Sequence, residues 1–109
     1  MGATDTMEIF FEKLNSGDRQ GAVDLMDERV EMRVHVRDGS RTLRGLQQVG
    51  GWFLRGDTGL QMVPGEVREM GNQYEADLLV LRPDAPSQHI DATFWVEAGK
   101  IVSINLSPS

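Results

Sequence analysis

The chain has 109 residues and a formal net charge of −6 at pH 7. This length suits one domain with a single core, so we expect one domain over residues 1–109. We expect no nucleic-acid partner, because binding a phosphate backbone needs a basic surface and the sequence has no basic cluster.

The sequence has no cysteine, which excludes disulfides, thiolate catalysis and cysteine-ligated zinc. Its 39% hydrophobic and 26% charged residues are ordinary for a globular protein. The first ten residues lack the basic start and apolar run of a signal peptide, and no segment has the length and apolarity of a membrane span. We therefore expect a soluble, cytoplasmic protein with no membrane partner.

Two short helices are predicted at the start of the chain. The first covers residues 4–14, with Thr4 or Thr6 as its cap and an apolar face made of Met7, Phe10, Phe11 and Leu14. Gly17 stands where a helix commonly ends. Asp18 can cap the second helix, whose apolar face is Ala22, Val23, Leu25 and Met26.

A strand hairpin and a third helix are predicted next. Residues 30–36 alternate between apolar and polar side chains, and Asp38-Gly39 is the strongest hairpin signal in the chain. Residues 42–44 return as a short strand before Gly45 opens the helix. Gly50-Gly51 weakens that helix by about 1 kcal/mol per glycine. Either the helix bends there or another group packs closely against its backbone.

The remainder predicts strands at residues 60–70, with a bulge or bend at Pro64-Gly65, and at residues 74–82. A loop over 83–86 leads to a hairpin over 89–107 that turns at residues 97–100, where Gly99 supplies left-handed geometry. The order predicts an α+β fold with the helices gathered on one face of a mostly antiparallel sheet.

The first strand of this last hairpin divides cleanly into two faces. One face is apolar: Ile90, Ala92, Phe94 and Val96. The other carries His89, Asp91, Thr93 and Trp95. A carboxylate and an imidazole beside a large aromatic suit the wall of a pocket, although the same residues on a wet face would simply be solvated.

Four local patterns occur in order along the chain: FFEKLNSGD at 10–18, Ala22–Met26 followed by Asp27-Glu28, RGLQQVGGWF at 44–53, and GKIVSI at 99–104. With them the sequence resembles the nuclear transport factor 2-like superfamily, in particular its SnoaL-like polyketide cyclase and ketosteroid isomerase branches. The resemblance implies a cone-shaped, curved, mostly antiparallel sheet packed against three helices, a cystatin-like α+β roll. It also implies an apolar cavity open at one end and a homodimer formed through the outer sheet face.

The resemblance leaves one of the three catalytic groups of the isomerase branch in place. Phe10 stands where that branch has a tyrosine, and Val34, or Arg33 after a one-residue slip, stands where it has an aspartate. Only Asp91 matches the acid on the late strand. We therefore do not expect ketosteroid isomerase activity.

The first interpretation is an enzyme of the cyclase kind that acts on a hydrophobic small molecule without a cofactor. Asp91 would be the acid/base group of an isomerase, cyclase or dehydratase reaction, and His89 could share or relay the proton. The resemblance implies that the cavity is lined by Phe10, Met32, Trp52, Phe53, Trp95, Ile104 and Leu106. Val34 and Tyr74 complete the expected substrate-binding residues, Tyr74 either as a donor in the pocket or as an ordinary half-buried strand tyrosine. The same residues could equally be core. No metal is expected, because neither histidine has carboxylates at ligand spacing.

The second interpretation is a non-catalytic module for ligand binding or dimerisation with the same fold. The missing tyrosine and first-strand aspartate favour it, whereas the Asp91, His89 and Trp95 face favours the enzyme. The sequence leaves both interpretations open.

Overall fold

Three helices and six strands make up the described part of the computed structural model, which covers residues 3–36, 38–55, 60–83 and 85–108. The helices are α1 (Ala3–Asn15), α2 (Arg19–Val23) and α3 (Gly45–Arg55). The strands are β1 (Met26–Val36), β2 (Gly39–Arg44), β3 (Gln61–Met70), β4 (Gln73–Arg82), β5 (Ala85–Glu97) and β6 (Lys100–Pro108).

The strands form one sheet in the order β2-β1-β6-β5-β4-β3. All neighbouring pairs are antiparallel except β1 and β6, which are parallel. α3 packs on β1 and β2, while α1 packs on β3, β4 and β5. The predicted α+β class is confirmed, with a mixed, mostly antiparallel sheet. No helix in the described ranges is long and apolar enough to cross a membrane.

The starts of the first two helices are stabilised in different ways. The Asp18 carboxylate accepts a 2.9 Å hydrogen bond from the Gly21 N–H, so the predicted cap of α2 is confirmed. At α1 the Thr4 N–H donates to the Glu69 carboxylate of β3 at 3.2 Å, and Thr6 is buried inside the helix. Hydrogen bonds from Thr4 hold the pKa of Glu69 below its usual range.

Two element boundaries differ from the prediction because strand pairing extends further. α2 ends at Val23, and Leu25 and Met26 do not belong to it. Met26 instead pairs with Ile101 of β6, whose N–H donates to the Leu25 carbonyl at 2.8 Å. Likewise β5 begins at Ala85, within the stretch predicted as a loop; Asp84 of that stretch lies outside the described residues.

Close packing explains one of the two glycines in α3, and a flexible side chain lies beside the other. A Cβ atom on Gly50 would lie 3.0 Å from Cγ1 of Val23, a residue of α2 that packs against α3. A Cβ atom on Gly51 would lie 2.7 Å from a guanidinium nitrogen of Arg55. Of the two explanations that the sequence allowed, the close approach of another group is therefore the one observed.

Aromatic rings fill the space between the sheet and the helices. Phe10 of α1 is the centre, with its ring centroid 5.7 Å from Phe53 of α3 and 6.0 Å from Phe94 of β5. All three side chains are at most 1% exposed. Methionine and aliphatic side chains complete the packing: Met7, Leu14, Met32, Met62, Leu78, Ile101 and Ile104. The body of the cone is thus a packed core.

Candidate functional site

Asp91 and His89 lie on the sheet face turned away from the helices, which we call the outer face. Both residues are exposed. Asp91 stands directly opposite Asp77 of β4, and His89 stands opposite Leu79. The expectation that the polar face of this strand forms a pocket inside the cone is corrected by this placement.

The physical reason is the apolar alternation of β5. Ala92, Phe94 and Val96 are buried against the helices, and Ile90 packs against the same core. A carboxylate on that side would lose its hydration without gaining a partner, at a cost of several kcal/mol. The polar residues His89, Asp91 and Thr93 therefore lie on the outer face, together with the half-buried Trp95.

The surroundings of Asp91 form a mostly acidic groove of about 620 Å³ on the outer face, open to solvent. Its charged and titratable residues are Glu66, Arg68, Glu75, Asp77, His89 and Asp91. The His89 Nδ1 atom lies 3.8 Å from the Asp77 carboxylate, with the two side chains 65% and 48% exposed. Ion pairs this exposed contribute little. Within the described ranges, no group of three or more potential ligands could hold a metal ion.

Most of the residues expected to bind substrate are placed in the packed core. Phe10, Met32, Phe53, Tyr74, Ile104 and Leu106 are all buried. Val34 is half-buried against the same core, and Trp95 lies on the outer face. Trp52 alone of the nine expected residues lines an open cavity on the helix side of the sheet.

Tyr74 illustrates the core environment. It is 3% exposed, and its ring packs near Phe11 and Phe94 at centroid distances of 6.2 Å each. Burial raises the pKa of its hydroxyl, and the negative charges of Glu8 and Glu69 raise it further.

The cavity beside Trp52 lies at one end of the cone, opens to solvent and has a volume of about 580 Å³. We call it the end cavity. Its lining residues are Arg41, Leu43, Gln48, Gly51, Trp52, Arg55, Leu60 and Arg82. Leu43 and Leu60 belong to the buried core, so the cavity has an apolar base.

The curvature of the sheet creates this cavity. Arg41 and Leu43 come from β2, at one edge of the sheet, whereas Arg82 ends β4 and Leu60 directly precedes β3, at the other edge. Residues from opposite edges line one cavity under α3, which contributes Trp52 and its neighbours. Such an arrangement requires a strongly curled sheet.

The charged residues among the described lining of the end cavity are three arginines. No carboxylate occurs among its described lining residues, and in the described part of the chain no ion pair involves Arg41, Arg55 or Arg82. The Nε–H of Arg55 donates to the Gly51 carbonyl at 3.3 Å. No sequence pattern marks this group, because its members are far apart in the chain and only the closure of the sheet brings them together.

No family model matches this sequence, and no curated protein matches it. Solved structures do resemble it. A nuclear transport factor 2-like protein of unknown function from Mesorhizobium loti has a TM-score of 0.84 at 15% identity, covering 98% of this chain and 90% of that one. A similar protein from Cytophaga hutchinsonii gives 0.82 at 16% identity, with 98% and 89% covered.

A protein from Kribbella flavida that is proposed to be a ketosteroid isomerase has a TM-score of 0.82 at 13% identity, covering 98% of this chain and 77% of that one. Likeness at this level of identity concerns the fold. The chain therefore has the nuclear transport factor 2-like, cystatin-like α+β fold that its sequence patterns predicted.

Proposed function

We propose that this protein binds a small molecule with an apolar body in the end cavity, and that it does so as a binding module. The observation that carries the proposal is the position of Trp52. Its indole lines a cavity of about 580 Å³, whereas the other rings of the interior are packed against one another. Binding sites for small molecules commonly have volumes of about 300–1,000 Å³.

The construction of the cavity supports the proposal. Trp52 is half-buried and its ring packs against Phe53. The aromatic wall of the cavity is therefore in place before a ligand binds. Leu43 and Leu60 offer apolar surface at the base. A preformed site loses little conformational freedom on binding, which favours affinity.

The position of Asp91 supports binding over acid/base catalysis. Asp91 belongs to the outer groove and not to the end cavity, so a molecule bound beside Trp52 lies on the other side of the sheet from its carboxylate. We place the chain with the SnoaL-like members of the fold on its four sequence patterns, as a member that binds its ligand without Asp91.

The test uses the two indole N–H signals of the protein, since the chain has two tryptophans. The ¹⁵N-labelled protein is titrated with 2-naphthamide, an uncharged aromatic probe, and the signals are assigned with Trp95→Phe. We expect the Trp52 signal to move and saturate while the Trp95 signal stays in place. Movement of the Trp95 signal alone, or of neither signal, would contradict the proposal.

A second candidate function, self-association through the outer face, is supported by the apolar side chains there. Met70 is 56% exposed, and Val63 is 42% exposed. Met70, Gln73 and Trp95 stand side by side on β3, β4 and β5, which gives this face an aromatic residue beside an exposed thioether. A homodimer would bury these groups against a second copy.

Light scattering tests this candidate. We expect twice the mass of one chain, reverting to one chain mass in Trp95→Ser. The acidic residues Glu75, Asp77 and Asp91 on the same face would repel their copies, so association should strengthen with added salt. A single chain mass at both low and high salt would refute it.

A further inference from the structure

We infer that the ligand of the end cavity is an anion, with an apolar or aromatic body that lies against Trp52 and a carboxylate or phosphate group that is bound by Arg41, Arg55 and Arg82. The inference rests on the proposed function and specifies its ligand class.

The distribution of charge in the molecule favours an anionic ligand. The chain has 17 acidic and 11 basic residues, yet the described lining of the end cavity has three guanidinium groups and no carboxylate. The groove around Asp91 on the outer face has the opposite composition, with four carboxylates against one arginine. An acidic protein that gathers arginines around one concave, partly apolar site raises the local concentration of anions there.

The three cavity arginines have donors available for a ligand. Elsewhere in the described part of the chain, Arg44 pairs with Glu31 and Arg68 pairs with Glu75, whereas Arg29 and Arg33 have no ion pair. The three cavity arginines have no such ion pair there, and Arg55 uses one N–H in its bond to Gly51. A guanidinium has five N–H donors and no acceptor, and its planar fork matches the two oxygens of a carboxylate or phosphate.

The three arginines reach the end cavity from different directions. Arg41 comes from β2, Arg55 from the last turn of α3 and Arg82 from the end of β4, so the charges surround the cavity from three elements. The Oε1 atom of Gln48 accepts a hydrogen bond from the backbone N–H of Arg44. The side-chain NH₂ group of Gln48, which is a donor, is therefore the part able to bind a ligand. The polar part of the site therefore offers donors, as an oxyanion requires.

Calorimetric titration with three naphthalene probes tests the inference: 2-naphthoate, 2-naphthyl phosphate and the uncharged 2-naphthamide. We expect at least one anion to bind about tenfold or more tightly than the amide at low salt, since each charge-assisted hydrogen bond is worth a factor of this order. The advantage should shrink as salt is added. The tighter of the two anions identifies the oxyanion as carboxylate or phosphate.

Variants connect the effect to the three side chains. Arg41→Gln, Arg55→Gln and Arg82→Gln should each weaken binding of the anion about tenfold and leave binding of the amide unchanged. Arg44→Gln is the matched control, because Arg44 lies on the same strand as Arg41, is exposed and does not line the cavity. It removes the same net charge and should leave anion binding unchanged.

The outcomes separate the two proposals. Equal affinity for the anions and the amide, with the Trp52 signal moving in every case, would overturn the anion and leave the binding pocket intact. Equal loss of anion binding in Arg44→Gln and in the cavity variants would also overturn it, because general charge attraction would then suffice. Binding of none of the three probes would overturn both proposals.

Discussion

The indole of Trp52 packs edge-on against the ring of Phe53, with ring centroids 4.8 Å apart and an interplanar angle of 80°. The two residues are adjacent on α3, yet Phe53 is 1% exposed inside the cone while Trp52 lines the end cavity. The wall of the cavity is therefore supported directly by the core.

This division of roles predicts different effects of truncation. Phe53→Ala should cost about 3–5 kcal/mol of unfolding free energy, as for other fully buried aromatic side chains. Trp52→Ala should cost clearly less, because its side chain is only partly buried, and it should abolish binding of 2-naphthamide. Denaturant unfolding and calorimetry measure the two effects. Equal losses of stability, or normal binding in Trp52→Ala, would contradict the assignment.

The adjacent glycines of α3 should respond to alanine with opposite signs. In Gly51→Ala the new methyl group meets the guanidinium of Arg55, which can swing aside, so the helix should gain up to about 1 kcal/mol. In Gly50→Ala the methyl group meets the buried Val23, where overpacking typically costs about 1–3 kcal/mol and exceeds the helical gain. Thermal unfolding of the two variants checks the signs.

Gly51→Ala also tests the role of Arg55 in binding. Since the guanidinium must leave its place over Gly51, the affinity for an anionic probe should fall although the protein is more stable. A variant that is more stable and binds the anion unchanged would show that the resting position of Arg55 does not matter for the site.

Tyr74 should make the protein sensitive to alkaline pH. Burial raises the pKa of its hydroxyl in the folded state above the ordinary value of 10.0, and Glu8 and Glu69 raise it further, so the folded state holds the proton more tightly than the unfolded state does. The associated stability is fully present below the unfolded pKa and is lost as pH rises through the folded one.

The chain has a single tyrosine, so the ultraviolet absorbance of tyrosinate reports on Tyr74 directly. We expect a midpoint above 10.0 in the folded protein and a normal midpoint in denaturant. Tyr74→Phe should remove this part of the alkaline loss of stability. The same midpoint in the folded and denatured protein would contradict the buried environment.

Asp77 and Asp91 form a cross-strand pair of like charges on the outer face. Asp91→Asn should therefore raise the free energy of unfolding by about 0.2–1 kcal/mol at low salt. Asp77→Asn should raise it less, because Asp77 also contacts His89 at 3.8 Å. Urea unfolding at low and high salt measures both. Neither variant should alter probe binding. Loss of binding in Asp91→Asn would show that Asp91 belongs to the functional site.

Local sequence signals predicted the elements well where one short-range interaction decides the outcome. The Asp18 cap of α2 and the left-handed Gly17 and Gly99 are examples. Alternation also separated the two faces of β5. It did not identify the inner face, because Phe94 and Trp95 place an aromatic side chain on each of the two faces. The face that packs against the helices is the one without polar side chains, since a buried polar group without a partner is costly.

The end cavity was beyond sequence reasoning for a different reason. Arg41 and Arg82 lie on strands at opposite sides of the sheet, and neither has a neighbour in sequence that marks it as a ligand residue. Their convergence depends on the curl of the whole sheet, which no local pattern encodes. Trp52 was expected to bind a ligand on the strength of the family resemblance.

The most direct measurement is the set of intermolecular nuclear Overhauser effects between the protein and bound 2-naphthoate. The account predicts contacts from the naphthalene protons to the Trp52 indole and to the methyl groups of Leu43 and Leu60, with none to Trp95. Contacts to Trp95 without contacts to Trp52 would place the ligand on the outer face and contradict the account.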